Sequence, residues 1–520
     1  MNQKKSRFEN VDHKLMWPSI IFVLAVMILA ALFPEKLNAL TAKGAGFITH
    51  QLGFIIQIVA LGCVGVLAWL AFGKYSTVRF GGKDAKPEFS FVSFAFMMFT
   101  AGVGAGLVYW AIGEPIYYMQ WPPYGYEPMS AEASTWSIAY SIYHWNIIGW
   151  SIFLLPAIPY AYYLHNRRKT NLRLSALCTE VIGEKHESSW LGYLINIFAI
   201  FGTLGAFSTS MGVSADLLSA GLNKLFHIQP TVGVKVAIVA SFIIFYAIIM
   251  LLGLKKGISK LANICVYISV GMITFILMAG PTSFIINYTS DSVGMVLNNF
   301  FRMSFYTDPV MKSGFPQDWT IFYWAWYFAY LVMMGLFIAK VSYGRKIKEV
   351  VLTCVIGSSL GCMLFLGILG GYTVNGILTN TLPIIEWFTN LGLAGAIIEV
   401  IASVPLGSIV LVIFLIAAYF LITTTMTSAT YAVSMMTTKN LKPNEDPDLA
   451  VRLIWCVAVG AISMVALLMG GAINTIKSMA IISAPPMIVL YIIMFICLLK
   501  WLKKDYRIKE RLEELSSDDN

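Results

Sequence analysis

The chain has 520 residues, of which 58% are hydrophobic and only 12% charged, and its mean hydropathy is +0.73. A soluble domain carries roughly 25% charged residues, so the composition excludes a soluble enzyme or binding module and marks an integral membrane protein. A net charge of +9 would suggest a nucleic-acid partner for a soluble chain, but here the placement of the basic residues gives the charge another meaning.

A basic tail with Lys4, Lys5, Arg7 and Lys14 precedes the first apolar block, at 17–34. No small-residue cleavage site follows it, so an uncleaved first span is a better reading than a signal peptide. Eleven more blocks follow, near 53–73, 89–120, 134–165, 190–223, 232–254, 258–287, 318–341, 349–371, 406–436, 450–470 and 476–501. A helix needs about 20 apolar residues to cross a bilayer, and the pattern predicts twelve such helices. With the amino terminus inside, the segments 1–16, 74–88, 165–188, 255–260, 340–348, 437–452 and the stretch from 500 onward face the cytoplasm. They hold most of the 36 lysines and arginines, which sets both termini in the cytoplasm.

The external segment 288–317 contains SVGMVLNNFFRM, and LAGAIIEVIASV precedes the tenth span. Both have apolar residues at helical spacing and read as amphipathic helices at the outer interface. The seven cysteines are scattered, with no CxxC or Cys/His cluster, so neither a disulfide framework nor a metal site is indicated. No repeat is evident in the sequence itself, although inverted repeats in transporters commonly emerge only in three dimensions.

The third span reads FMMFTAGVGAGLVYWAIGEPIYYM. Gly102 and Gly106 form a small-xxx-small pair suited to close helix packing. The alternation of Gly102, Gly104 and Gly106 equally fits a locally unwound helix whose free carbonyls meet an ion or substrate. The tenth span is dense in hydroxyls, with Thr427 and Ser428 at its middle, and the fifth offers Thr209 and Ser210. Such hydroxyls back-bond to their own helix without any ligand, yet with a few carbonyls they also make an oxygen shell for sodium. Glu114, toward the outer end of span three, is the clearest intramembrane carboxylate, and such residues are functional candidates. No chain of ionisable groups accompanies it in the sequence, so sodium coupling suits the chain better than proton coupling. His144 reads as a structural histidine bonded to a neighbouring helix. No catalytic triad, P-loop, GxSxG or metalloprotease signature is present, so neither an enzyme nor an ATP-driven pump is supported, and no cofactor is expected.

The most unusual stretch is QDWTIFYWAWYFAYLVMMGLFIAKVSYGR, from Gln317 to Arg345. As one continuous helix it puts Trp319, Tyr323, Trp326 and Tyr330 on one face, with Tyr327 beside them and Met334 a turn deeper. An interfacial belt explains Trp319 but not the rings further in. Rings without a compensating buried carboxylate suit a cation that has no N–H donors, held by cation–π attraction. A quaternary ammonium is such a cation.

DWTIFYWAWYFAYLVMMGLFIAKVSYGRKIKE, together with GVGAGLVYWAIGEP, HWNIIGW, GLKKGI and SFYTDPVMKSGFPQDW, resembles the betaine/carnitine/choline transporter family over nearly the whole chain. SFYTDPVMKSGFPQDW is most similar to the carnitine/butyrobetaine branch. The resemblance implies an all-α polytopic fold of twelve helices with leucine-transporter-type inverted five-helix repeats. It divides the chain into a cytoplasmic tail (1–16), two peripheral helices (17–88), a first repeat (89–287), an external interfacial helix (288–317), a second repeat (318–501) and a cytoplasmic tail (502–520). It further implies a homotrimer in the plasma membrane, alternating access, and lipid and a small trimethylammonium compound as partners, with no nucleic acid.

By position, Trp326, Tyr327 and Tyr330 match the family's aromatic box, Tyr327 replacing a usual tryptophan. Tyr117 and Met334 match further substrate-site positions, and Trp145 matches a box residue of betaine symporters. Trp319 and Trp110 match an outer position linked with a second site or access path. Thr427 and Ser428, with carbonyls near Thr100 and Val103, match the ion site of sodium-dependent members. Sodium-independent exchangers carry an arginine in span seven where Cys265 stands here. Met334 pulls toward the exchangers, where a methionine stands in for a second sodium. The resemblance therefore implies import of a betaine or carnitine type of compound by sodium symport, with sodium-independent carnitine/γ-butyrobetaine exchange as the alternative. A passive organic-cation channel is the reading from another class, and saturable gradient-coupled uptake separates it.

Overall fold

The computed structural model describes residues 10–518 apart from Ala105, Asn444 and 469–471. The expected tail residues 1–9 and 519–520 and the side chain of Thr209 lie outside the described residues. The described chain is helical, with two isolated β-bridges and no strand. Two peripheral spans, α1 (His13–Leu32) and α3 (Gly53–Phe72), flank α2 (Pro34–Gln51). The third span is α4 (Phe91–Val103) and α5 (Gly106–Gln120). The fourth, Ala131–Asn166, contains α6 (Ala131–His144) and α7 (Ile147–Leu154). Spans five to seven are α8 (Trp190–Phe226), α9 (Val232–Gly253) and α10 (Ser259–Ala279), followed by α11 (Thr282–Phe305) on the outside. The eighth span is α12 (Pro316–Ala329) and α13 (Leu331–Val341), and the ninth is α14 (Ile347–Leu378). After the external α15 (Ile384–Ala402) come α16 (Gly407–Met436), α17 (Leu449–Leu468) and α18 (Ala472–Asp518). Among the described residues, each of the twelve predicted blocks falls on helix.

Three differences from the sequence reading have local causes. The helix α2 carries Glu35, Lys36, Asn38, Lys43 and His50, so no long apolar run announces it. It packs along α18. The outer helix begins at Thr282, inside the predicted 258–287 span, because Gly280 and Pro281 end α10. Proline has no N–H to continue a preceding helix and fits at the start of the next. The stretch 317–345 is two helices rather than one: α12 and α13 meet at 57°, with Tyr330 at the joint (ψ 9°).

Span three breaks in the same way. Its halves are bent by 53° around Gly104, whose φ of 52° is left-handed and cheap only for glycine. Spans three and eight are thus both broken helices. Span four breaks once more between α6 and α7. There Asn146 leaves helical geometry (φ −111°, ψ −146°) and its side chain caps α7 by accepting from Ile147 N at 2.9 Å. On the side assigned to the cytoplasm, the amino tail is knitted to the end of α16. Asp12 N donates to Thr437 O at 2.9 Å, Lys439 N donates to Asn10 O at 2.7 Å, and Asp12 pairs with the Arg173 guanidinium.

Candidate substrate and ion site

The rings of α12 are buried, not lipid-facing: Tyr323, Trp326, Tyr327 and Tyr330 are 0%, 7%, 1% and 2% exposed. Trp326 meets Tyr330 edge-on at 5.4 Å and Tyr327 at 5.5 Å. Trp145, at the break in span four, completes this group, 6.3 Å from Trp326 and 6.2 Å from Tyr327. Tyr327 donates to His144 O at 3.1 Å and packs so closely on Gly149 that a Cβ there would lie 2.7 Å from its ring. The Tyr330 hydroxyl lies 3.2 Å from Ser210 Oγ. The kink at Tyr330 separates Trp326 from Met334. The Met334 methyl instead sits against Gly102, 3.3 Å from where a Cβ would be. The α12 rings, Trp145, Met334 and the glycines of span three therefore converge.

Trp319 and Trp110 form an outer group, 5.7 Å apart and nearly perpendicular. Tyr117 belongs with them: its ring lies 5.4 Å from Trp319 and 6.3 Å from Trp110. The sequence reading joined Tyr117 to Trp326, but all three outer rings line an external cavity of about 1000 Å³, bounded on another side by α2. Trp319, Tyr323, Trp326 and Tyr327 all precede the bend at Tyr330, and what divides them is their partners: Trp110 and Tyr117 gather on Trp319, Trp145 on Trp326 and Tyr327.

Four residues of the inner group escaped the sequence reading. Phe153 lies 4.7 Å from Tyr327 and 5.5 Å from Tyr330, and Phe207 lies 5.0 Å from Tyr330. Trp150 covers Gly102, where a Cβ would come within 2.7 Å of its ring. Tyr323, noted only as part of the stripe, donates to the carboxylate of Glu114. Only the NIIGW break next to Trp145 signalled this region in the sequence.

The hydroxyls of α16 face the other side of the span-three break. Thr425 Oγ1 donates to Thr100 O at 3.1 Å, with Thr424 Oγ1 at 3.4 Å from the same carbonyl. Thr427 Oγ1 and Ser428 Oγ instead converge on Thr424 O, at 2.9 and 2.8 Å. Thr100 and Val103, in the last turn of α4 before Gly104, are buried, as are all four hydroxyl residues. This clustered set of hydroxyl and carbonyl oxygens, with no carboxylate, has the hard-donor chemistry that alkali cations take. Thr424 and Thr425 were missed because consecutive threonines on a helix look like back-bonding hydroxyls until a second helix is placed against them.

His144 is structural, as its context predicted. Its Nδ1 is 2.9 Å from Tyr118 OH and its Nε2 is 2.9 Å from Thr320 Oγ1, so both ring nitrogens are used. No group of three or more potential metal ligands occurs among the described residues.

Two bent membrane helices whose breaks meet at a buried aromatic cluster, beside a set of oxygens, define a secondary transporter rather than an enzyme. Residues 14–507 match the family described as BCCT, betaine/carnitine/choline family transporter, and the chain belongs to that family. It is therefore a multi-span helical transporter of betaine-type compounds. Among solved structures it is similar to a Na+-coupled sialic acid symporter in a substrate-bound outward-open state, with 13% identity, a TM-score of 0.44 and 82% of each chain covered.

Proposed function

We propose that this protein is a plasma-membrane symporter that uses the sodium gradient to import a trimethylammonium compound of the betaine or carnitine type. Alternating access would operate about the breaks of spans three and eight, in a homotrimer with both termini cytoplasmic. The observation that carries this reading is the buried ring group of Trp326, Tyr327, Tyr330 and Trp145. A quaternary ammonium has no N–H to donate, and several aromatic faces together supply the attraction it can use. The half-buried start of α5 at Gly106 supports a zwitterion, because a helix amino terminus favours an anionic group. Trp319, Trp110 and Tyr117 form the outer approach, and Met334 is the inner floor.

Sodium is the proposed coupling ion, held by carbonyls of Thr100 and Val103 with the hydroxyls of Thr427 and Ser428. The proximity of Thr424 and Thr425 to Thr100 O supports placing it between α4 and α16. Uptake of labelled betaine and carnitine into proteoliposomes with and without a sodium gradient tests this. Uptake should require sodium on the same side. Uptake indifferent to sodium but dependent on counter-substrate inside would establish the exchanger reading, which the seat of Met334 against Gly102 favours.

A further inference from the structure

The aromatic group was expected to lack a buried carboxylate, yet one lies behind it. Glu114, on α5, is completely buried. Its Oε1 accepts from Trp145 Nε1 at 2.7 Å and from the Tyr323 hydroxyl, and the hydroxyls of Tyr118 and Ser141 lie near the same carboxyl group. No lysine or arginine pairs with it among the described residues. A carboxylate held inside a membrane bundle without a cation is costly to keep, and packing alone gives no reason to retain it.

The two donors to Oε1 are rings of the site. Trp145 stands where α6 ends (φ −103°, ψ 16°), so regular helix geometry does not fix where its indole points. The far edge of the indole rests on Gly106, where a Cβ would be 3.3 Å away. Its N–H reaches Glu114 two turns further along the same helix. The side chain of Glu114 leans back toward the start of α5, as helical side chains do, so α5 holds the indole at two points. Tyr323 carries the second bond, and its ring lies 5.7 Å from Trp145 and 5.7 Å from Tyr327. One carboxylate oxygen thus joins the second half of span three, the break in span four and the first half of span eight.

We propose that Glu114 is a positioning residue for substrate recognition: it holds Trp145 and Tyr323 in register so that the box closes on the cation. The proposal rests on the aromatic-box reading above. Two donors from different spans share one accepting oxygen, which suits a joint between elements that move during transport.

The test is uptake kinetics of the reconstituted full-length transporter, with whichever of labelled betaine, carnitine and choline the wild type imports. Glu114→Ala removes the acceptor, and Glu114→Asp keeps the carboxyl group but shortens its reach. Both should raise KM by about tenfold, the scale of leaving one buried hydrogen-bonding group without its partner, while Vmax per reconstituted transporter stays within about twofold. Glu114→Gln keeps reach and a carbonyl acceptor and should raise KM less than Glu114→Ala. Trp145→Phe keeps a ring but loses the N–H. It should reproduce the KM defect, and adding it to Glu114→Ala should make the defect no worse.

An unchanged KM in Glu114→Ala, or multiplicative losses in the double variant, would overturn the proposal. So would a fall in Vmax or in folded yield with KM intact, which is the mark of a purely structural carboxylate. Trp326→Leu serves as the control. If it too leaves KM unchanged, the aromatic-box reading has failed; if it raises KM while the Glu114 variants are silent, only the positioning role has failed.

Discussion

Replacing Trp326 by leucine keeps an apolar side chain in place but removes the ring. In the structure that ring is 7% exposed, edge-on to Tyr330 at 5.4 Å and 5.5 Å from Tyr327, so a cation against it is stripped of water. A desolvated cation–π contact with tryptophan contributes about 2 kcal/mol, and every 1.4 kcal/mol is tenfold in affinity. Trp326→Leu should therefore weaken binding of a trimethylammonium substrate by about 30-fold, and Trp326→Phe by less. The neutral tert-butyl isostere has the same shape without the charge, and loses only the apolar contact that leucine fails to restore. Competition of both compounds against labelled uptake separates charge from volume: the preference for the ammonium should shrink by about 30-fold. Equal losses for ammonium and isostere would show that the ring acts as a wall and not as a cation partner. A KM within about twofold of wild type, well inside the expected effect, would remove Trp326 from the site.

Two further substitutions probe the ion oxygens and the packing of the box. Thr427→Ala should raise the half-saturating sodium concentration by roughly tenfold, the scale of one lost polar contact to a charged group, with less effect on substrate KM at saturating sodium; an unaltered sodium response would show the ion site to be misplaced. Gly149→Ala puts a Cβ 2.7 Å from the Tyr327 ring and 3.1 Å from His144 O. Such overpacking costs about 1–3 kcal/mol, so the melting temperature in detergent should fall and KM should rise as the ring shifts, and a variant unchanged in both would mean that Tyr327 does not depend on that contact.

The two groups of rings show why the candidate site was only half legible. Trp326, Tyr327 and Tyr330 stand out in the sequence because lipid-facing helices do not need rings at that depth. Their separation from Trp319 comes from the partners each part of α12 meets, Trp110 and Tyr117 for Trp319 and Trp145 for Trp326, while the 57° bend at Tyr330, which no glycine or proline announces, sets off Met334. The break in span three was legible, since Gly104 at φ 52° does what an alternating glycine run permits. Glu114 was noticed but placed near the outer end, because its donors Trp145 and Tyr323 are 31 and 209 residues away along the chain.

The sequence by itself determined the class of protein and where its apolar helices lie. Hydrophobic length and the sidedness of lysine and arginine are local properties, each sufficient to place a helix in a bilayer. It missed α2, whose mixed face gains its apolar partner only in the fold. The tertiary structure alone decided which residues share a site: Thr425 with Thr100, Met334 with Gly102, Trp145 and Tyr323 with Glu114. Those pairings are long-range contacts between broken helices. Periodicity shows which face a residue occupies, but packing sets which other face it meets.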